Sequence, residues 1–85
     1  MGKYTYEVWA LGFDKNNMAT DEEVLLGEYT DKQEAIHIAE QYNDISEIEA
    51  KLEGPVEEGA CFEVVVEKCI DTECVDDVYS NYIYK

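Results

Sequence analysis

From Lys3 to Phe13 the chain alternates, with Tyr4, Tyr6, Val8 and Ala10 on one side and Thr5, Glu7, Trp9, Leu11 and Phe13 on the other. A period of two is that of a strand whose successive side chains point to opposite faces, so this stretch predicts a first strand. The polar run Asp14-Lys15-Asn16-Asn17 ends it. Residues Glu23 to Tyr29, with Val24-Leu25-Leu26 broken by Gly27, predict a second strand. The two form a long-looped hairpin, with Gly27 marking a bulge.

The period then changes. Thr30 or Asp31 is a helix cap, and Gln33 or Glu34 three residues on completes a capping box. Ala35, Ile38, Ala39 and Tyr42 come next at i, i+3, i+4 and i+7, the apolar stripe of a surface helix. The stripe extends through Ile45, Ile48 and Leu52, but Asn43-Asp44 interrupts it and Asp44 to Glu47 offers a second capping box. A broken helix, or two short ones, ending at Gly54-Pro55 is therefore expected.

After Gly59 the period of two returns. Within Cys61 to Ile70, Phe62, Val64, Val66 and Ile70 share one face, and Glu63, Val65, Glu67 and Cys69 the other. Asp71-Thr72-Glu73 supplies turn residues, and Val75 to Tyr84 makes the last strand. The order ββα(α)ββ predicts an α+β fold: a small antiparallel or mixed four-stranded sheet with helix packed on one face. Residues 1–85 leave room for one hydrophobic core and read as a single domain.

Charge adds what the hydrophobic pattern omits. The chain has 21 acidic residues against 6 basic ones, all lysine, for a formal net charge of −15. A small domain built for solubility carries about 2–8 charges of either sign. Spread over the roughly 5,000 Å² expected of a monomer this size, the excess is about one negative charge per 350 Å². Such a surface repels nucleic acid and anionic membranes and attracts basic proteins. The plainer reading is that it serves solubility alone. Apolar residues at 46% rule out a disordered acidic chain. No apolar run is long enough for a membrane span, and the first residues lack the apolar core of a signal peptide, so a cytoplasmic location is expected. Gly2 does not signal myristoylation, because Tyr6 stands where Ser or Thr is needed.

Catalysis has little to stand on, and no enzyme is expected. His37 is the only histidine and lies within the helical stripe. Three cysteines, Cys61, Cys69 and Cys74, are an odd number at low density and read as reduced thiols. With His37 they could supply four zinc ligands, but no Cys-x-x-Cys knuckle is present; Cys69 and Cys74 more simply flank the last hairpin and face each other. The run from Asp14 starts like a calcium loop but has Ala19 where glycine, and Leu25 where glutamate, is required. No metal, cofactor or catalytic residue is assigned.

The carboxylates, by contrast, are clustered: Asp21-Glu22-Glu23, Glu47 with Glu49 and Glu53, Glu57-Glu58, and Asp76-Asp77. On a strand, Glu63 and Glu67 project from one face at steps of about 6.6–7 Å per two residues. On a helix, Glu49 and Glu53 would lie about 5–6 Å apart. Both spacings are comparable to successive phosphates on a nucleic-acid strand. Tyr79, Tyr82 and Tyr84 lie near Asp76-Asp77 and would add apolar contact to charge, although one alternating set of these rings must face the core.

In its short length, lack of arginine, acidic sheet-and-helix pattern and tyrosines beside carboxylates, the chain resembles small phage-encoded DNA-mimic inhibitors, the anti-CRISPR and anti-restriction proteins. The resemblance covers the chain in character, without a diagnostic motif. It implies stoichiometric inhibition of a basic nucleic-acid-binding protein or nuclease complex, with no direct binding of nucleic acid. Nuclease immunity proteins and antitoxins share the same look. Two other readings remain: a small-ligand or metal-binding module, such as a nucleotide-signal sponge, and a structural assembly protein such as a homodimer.

Overall fold

The computed structural model describes residues 4–52, 58–71 and 73–84. Six elements occur in the expected order: β1 (Tyr4–Phe13), β2 (Ala19–Tyr29), α1 (Lys32–Gln41), α2 (Ile45–Glu49), β3 (Cys61–Ile70) and β4 (Glu73–Tyr84). The strands form one sheet in the order β2-β1-β3-β4, and every neighbouring pair is antiparallel. The fold is α+β with two short helices.

Two strands begin earlier than the hydrophobic pattern indicates. β2 starts at Ala19, so Asp21 and Glu22 join Glu23 in the strand and do not belong to the preceding loop. β4 starts at Glu73, which pairs with Ile70 across a tight turn in which Asp71 takes a φ of 50°. The loop between β1 and β2 is an Asx turn. Asp14 Oδ1 accepts from the Asn16 and Met18 amides at 2.8 and 3.0 Å, so its carboxylate is committed to the backbone.

Two aspartates start the helices. Asp31 Oδ1 accepts from the Gln33 amide at 3.2 Å, and Asp44 Oδ1 accepts from the Ser46 amide at 3.0 Å. Each satisfies an N–H that the helix cannot pair internally. The Ser46 hydrogen bonds also hold the Asp44 carboxyl below the usual aspartate range. The interruption read at Asn43-Asp44 is thus a real break between α1 and α2. Their expected end at Gly54-Pro55 lies outside the described residues.

The core lies between the helices and one sheet face. Val8, Ala10, Phe62, Val64, Val66 and Ile83 from the strands meet Ala35, Ala39, Ile45 and Ile48 from the helices. Within α1, Ile36 packs against this cluster, whereas Ile38 of the expected stripe is half-buried outside it. The alanines at i and i+4 let the helix approach the sheet closely. Gly12 allows close packing within the sheet itself: a Cβ there would lie 2.5 Å from Thr20 Oγ1 on β2 and 3.2 Å from the Phe62 ring on β3.

Candidate functional site: an uncovered acidic sheet face

Among the described residues, helices lie on one face of the sheet. Directly opposed residues of antiparallel strands share a face, so the register gives the composition of the other face row by row. In one row Glu28 of β2 stands opposite Glu7 of β1, Glu7 opposite Glu67 of β3, and Glu67 opposite Asp77 of β4. Four carboxylates therefore cross the sheet in a line, about 4.7–4.9 Å from strand to strand. The next row on this face is Leu25, Trp9, Val65 and Ser80, and the one beyond is Glu23, Leu11, Glu63 and Tyr82. The acidic residues flank an apolar middle.

Bulges on the two edge strands make this alignment. In β4, Tyr79 pairs with Val66 and Asp77 with Glu67, so Val78 is the extra residue. Val78 and Tyr79 both pack toward the core, and Asp77 is turned to the open face. In β2, Gly27 pairs with Val8 and Leu25 with Trp9, which leaves Leu26 extra and packed against the core. Each bulge exchanges the faces of the residues on one side of it, as insertion of a single residue into a period of two requires.

The electrostatics are set by the register. Burial pushes the Glu67 carboxyl above the ordinary glutamate range, and repulsion from Asp77, Glu7 and Glu23 adds to the shift. Two of these three acids are its cross-strand neighbours. Local bonds hold a member of each acidic row as well: Trp9 Nε1 donates to Glu7 Oε1 at 2.9 Å, and Ser80 Oγ donates to Glu63 Oε2 at 2.6 Å. The negative charge of Glu63 in turn raises the Tyr82 phenol, so that the ring stays neutral and a hydrogen-bond donor.

The fold divides the residues singled out by sequence. Glu23, Glu63, Glu67, Asp77 and Tyr82 meet on the open face. Tyr84 pairs with Cys61 on the same face and, with Phe13, Asn17 and Tyr82, lines a shallow cavity of about 260 Å³. Tyr79 is turned to the other side, against the core, and burial raises its phenol. Glu22 approaches the buried face at Gly12, away from Glu23. Asp76 pairs with Lys68, whose Nζ sits 4.1 Å above the Tyr4 ring. Asp21 is exposed on β2, and Glu58 lies in an exposed turn. Because α2 ends at Glu49, the helical spacing expected between Glu49 and Glu53 is not part of it; Glu53 and Glu57 lie outside the described residues. Sequence reasoning misses Glu7 and Glu28 as members of the site. Alternation places Glu7 on the face with Trp9 and Leu11, and only the cross-strand register shows what stands beside it.

The cysteines correct the expectation of three reduced thiols. Cys69 and Cys74, opposed in register, are joined as a disulfide, and Cys61 is free and buried. Cys61 and Cys69 lie eight residues apart on β3, about 26 Å along a strand. His37 is exposed on α1, where its ring meets the Gln41 amide at 3.1 Å. The zinc set weighed from sequence is therefore not brought together. Among the described residues no helix is long and apolar enough to cross a membrane. No family model, curated protein or solved structure matches the chain.

Proposed function

We propose that this protein is a stoichiometric inhibitor that occupies the nucleic-acid-binding surface of a basic protein, of the nuclease or CRISPR-effector type, with its uncovered sheet face. The observation that carries the reading is the row Glu28–Glu7–Glu67–Asp77, which concentrates like charge on one rigid face. A fold pays for opposing carboxylates in stability, and a binding surface is where that cost has a use.

The second acidic row, Glu23 and Glu63, lies four residues along the strands from the first, about 13 Å away. That separation is near the roughly 12 Å width of the B-DNA major groove. Two lines of negative charge at groove spacing, on a scaffold that needs no reorganisation, offer a basic cleft the pattern its lysines and arginines take from a duplex. Trp9 and Leu25 between the rows, and Leu11 within the second, provide apolar contact, which phosphate alone cannot. Leu25 is 49% exposed, so this contact is available at the surface.

Assembly through the sheet edges is less well supported. Both edge strands carry bulges and acidic side chains, the features by which exposed edges avoid pairing with another chain. An expected cytoplasmic setting accords with a partner that handles nucleic acid there.

The test is displacement. A nucleic-acid-binding protein captured with this chain is titrated with it in the presence of labelled duplex DNA. The proposal predicts complete release of DNA at one equivalent and weaker competition as salt rises. A complex in which the partner still binds DNA contradicts it.

A further inference from the structure

Beside the acidic row, three potential ligands from three strands converge. Cys69 on β3 and Cys74 on β4 are opposed in register, and Glu7 on β1 is diagonal to Cys69 on the same face. Glu7 Oε1 lies 3.7 Å from Cys74 Sγ, and one ligand atom from each of Glu7, Cys69 and Cys74 falls within 4.8 Å of the other two. A disulfide sulfur has no proton to donate, so the approach of this carboxylate is not accounted for by a hydrogen bond in the oxidised form.

We propose that Cys69, Cys74 and Glu7 form a redox-gated zinc(II) site. With the disulfide reduced, two thiolates and the carboxylate ligate one Zn²⁺, and a fourth position is left for water or an external ligand. With the disulfide formed, the two sulfurs have no lone pairs of thiolate character to give, and the site is closed to zinc.

The donor set is chemically apt. Two thiolates and one carboxylate are ligands that zinc takes in tetrahedral sites, at about 2.3 Å for sulfur and 2.0–2.2 Å for oxygen. Those bond lengths imply ligand-to-ligand edges of about 3.5–3.8 Å, which the 3.7 Å between Glu7 Oε1 and Cys74 Sγ matches, while the two sulfurs, bonded to each other in this form, must separate on reduction. Cys69 is fully buried and anchors the site on the sheet, while Cys74 is exposed and free to rotate into place once released. Glu7 is oriented by the Trp9 indole, which donates to the same Oε1 that approaches Cys74, a supporting bond of the kind that ligating carboxylates commonly have. The neighbouring Glu67, Asp77 and Glu28 raise the local concentration of cations without being ligands.

Gating proceeds by thiol–disulfide exchange with a dithiol reductant. A reductant thiolate attacks the exposed Cys74 sulfur and expels the Cys69 thiolate. The second thiol of the reductant then releases Cys74 and leaves as its own cyclic disulfide. Two electrons pass to the protein, and zinc binding releases the protons still held on the two thiols. This proposal does not depend on the inhibitor reading, since zinc uptake is measured without any protein partner.

The experiment is a Zn²⁺ titration of the full chain against a chromophoric chelator, in the oxidised form and after reduction by a dithiol that is then removed anaerobically. Emission from Trp9, the only tryptophan, is recorded in parallel. The reduced protein is expected to take up one equivalent of zinc with a change in Trp9 emission, and the oxidised protein none. Cys61→Ser retains the uptake, Cys74→Ser abolishes it, and Glu7→Gln weakens it tenfold or more. The oxidised wild-type protein is a folded control that needs no substitution. Absence of uptake by the reduced protein, equal uptake by both forms, loss in Cys61→Ser, or unchanged affinity in Glu7→Gln overturns the proposal.

Discussion

Glu7 and Glu67 stand directly opposite each other on the two central strands, on the face that no helix covers. Glu67 also faces Asp77 on its other side, so it has a carboxylate neighbour on each flanking strand. Burial and these neighbours raise its proton affinity in the folded protein above that of the unfolded chain.

A raised carboxyl pKa has a definite sign in stability. The contribution of Glu67 is fully favourable below the ordinary glutamate pKa and is lost as pH rises through the raised folded value. Glu67→Gln is therefore expected to stabilise the protein at neutral pH, by about 0.2–1 kcal/mol for relief of opposed like charges. The gain should shrink as pH falls through that window and as salt rises. Urea melts at several pH values check it, and a loss of stability at neutral pH contradicts it.

Asp44 has the opposite sign. Its carboxyl is held low by the Ser46 hydrogen bonds, so its contribution is present above the unfolded pKa and lost as pH falls through the folded one. Asp44→Ala should lower the melting temperature at neutral pH, and the difference from wild type should fade in acid. Asp44→Asn, which keeps a capping oxygen, should lose much less at neutral pH.

Two substitutions probe the packed face. Phe62→Ala empties the largest fully buried side chain and should cost about 3–5 kcal/mol, a large share of the roughly 5–15 kcal/mol that stabilises a small domain. Gly12→Ala forces a Cβ against Thr20 and Phe62 and should cost about 1–3 kcal/mol as overpacking. Thr20→Gly should recover part of the second loss, since Thr20 Oγ1 makes the closest contact. Chemical denaturation measures all three.

The sheet and helices are legible in the sequence because their periods are clean. Phe62, Val64 and Val66 alternate with Glu63, Val65 and Glu67, and the period admits only one inward face. The helix break is legible in Asn43-Asp44, because aspartate competes for backbone amides and caps the next helix. The acidic row is not legible, for two physical reasons. Which residue stands beside Glu7 depends on register, which no single strand contains. Asp77 reaches the row because β4 is bulged at both Val75 and Val78, and a bulge breaks the period from which faces are read. Uninterrupted alternation puts Val78 where Asp77 stands. Clustering along the chain therefore points to Asp76-Asp77 as a pair, while the fold sends the two to different partners, Lys68 and Glu67.

The central claim is that the position of the carboxylates, and not net charge alone, makes the binding surface. Two variants separate these, each removing four of the charges that make up the net −15. One replaces the row, as Glu7→Gln, Glu28→Gln, Glu67→Gln and Asp77→Asn. The other replaces Glu34, Glu40, Glu47 and Glu58 with glutamine and leaves the row intact. Both are immobilised beside the wild type and used for capture from the source organism's lysate at low and high salt, with DNA binding by the captured protein as the readout. The account predicts that wild type and the second variant retain a salt-released nucleic-acid-binding protein and block its DNA binding, whereas the row variant, folded, does neither. Equal capture and equal blocking by the two variants would contradict it.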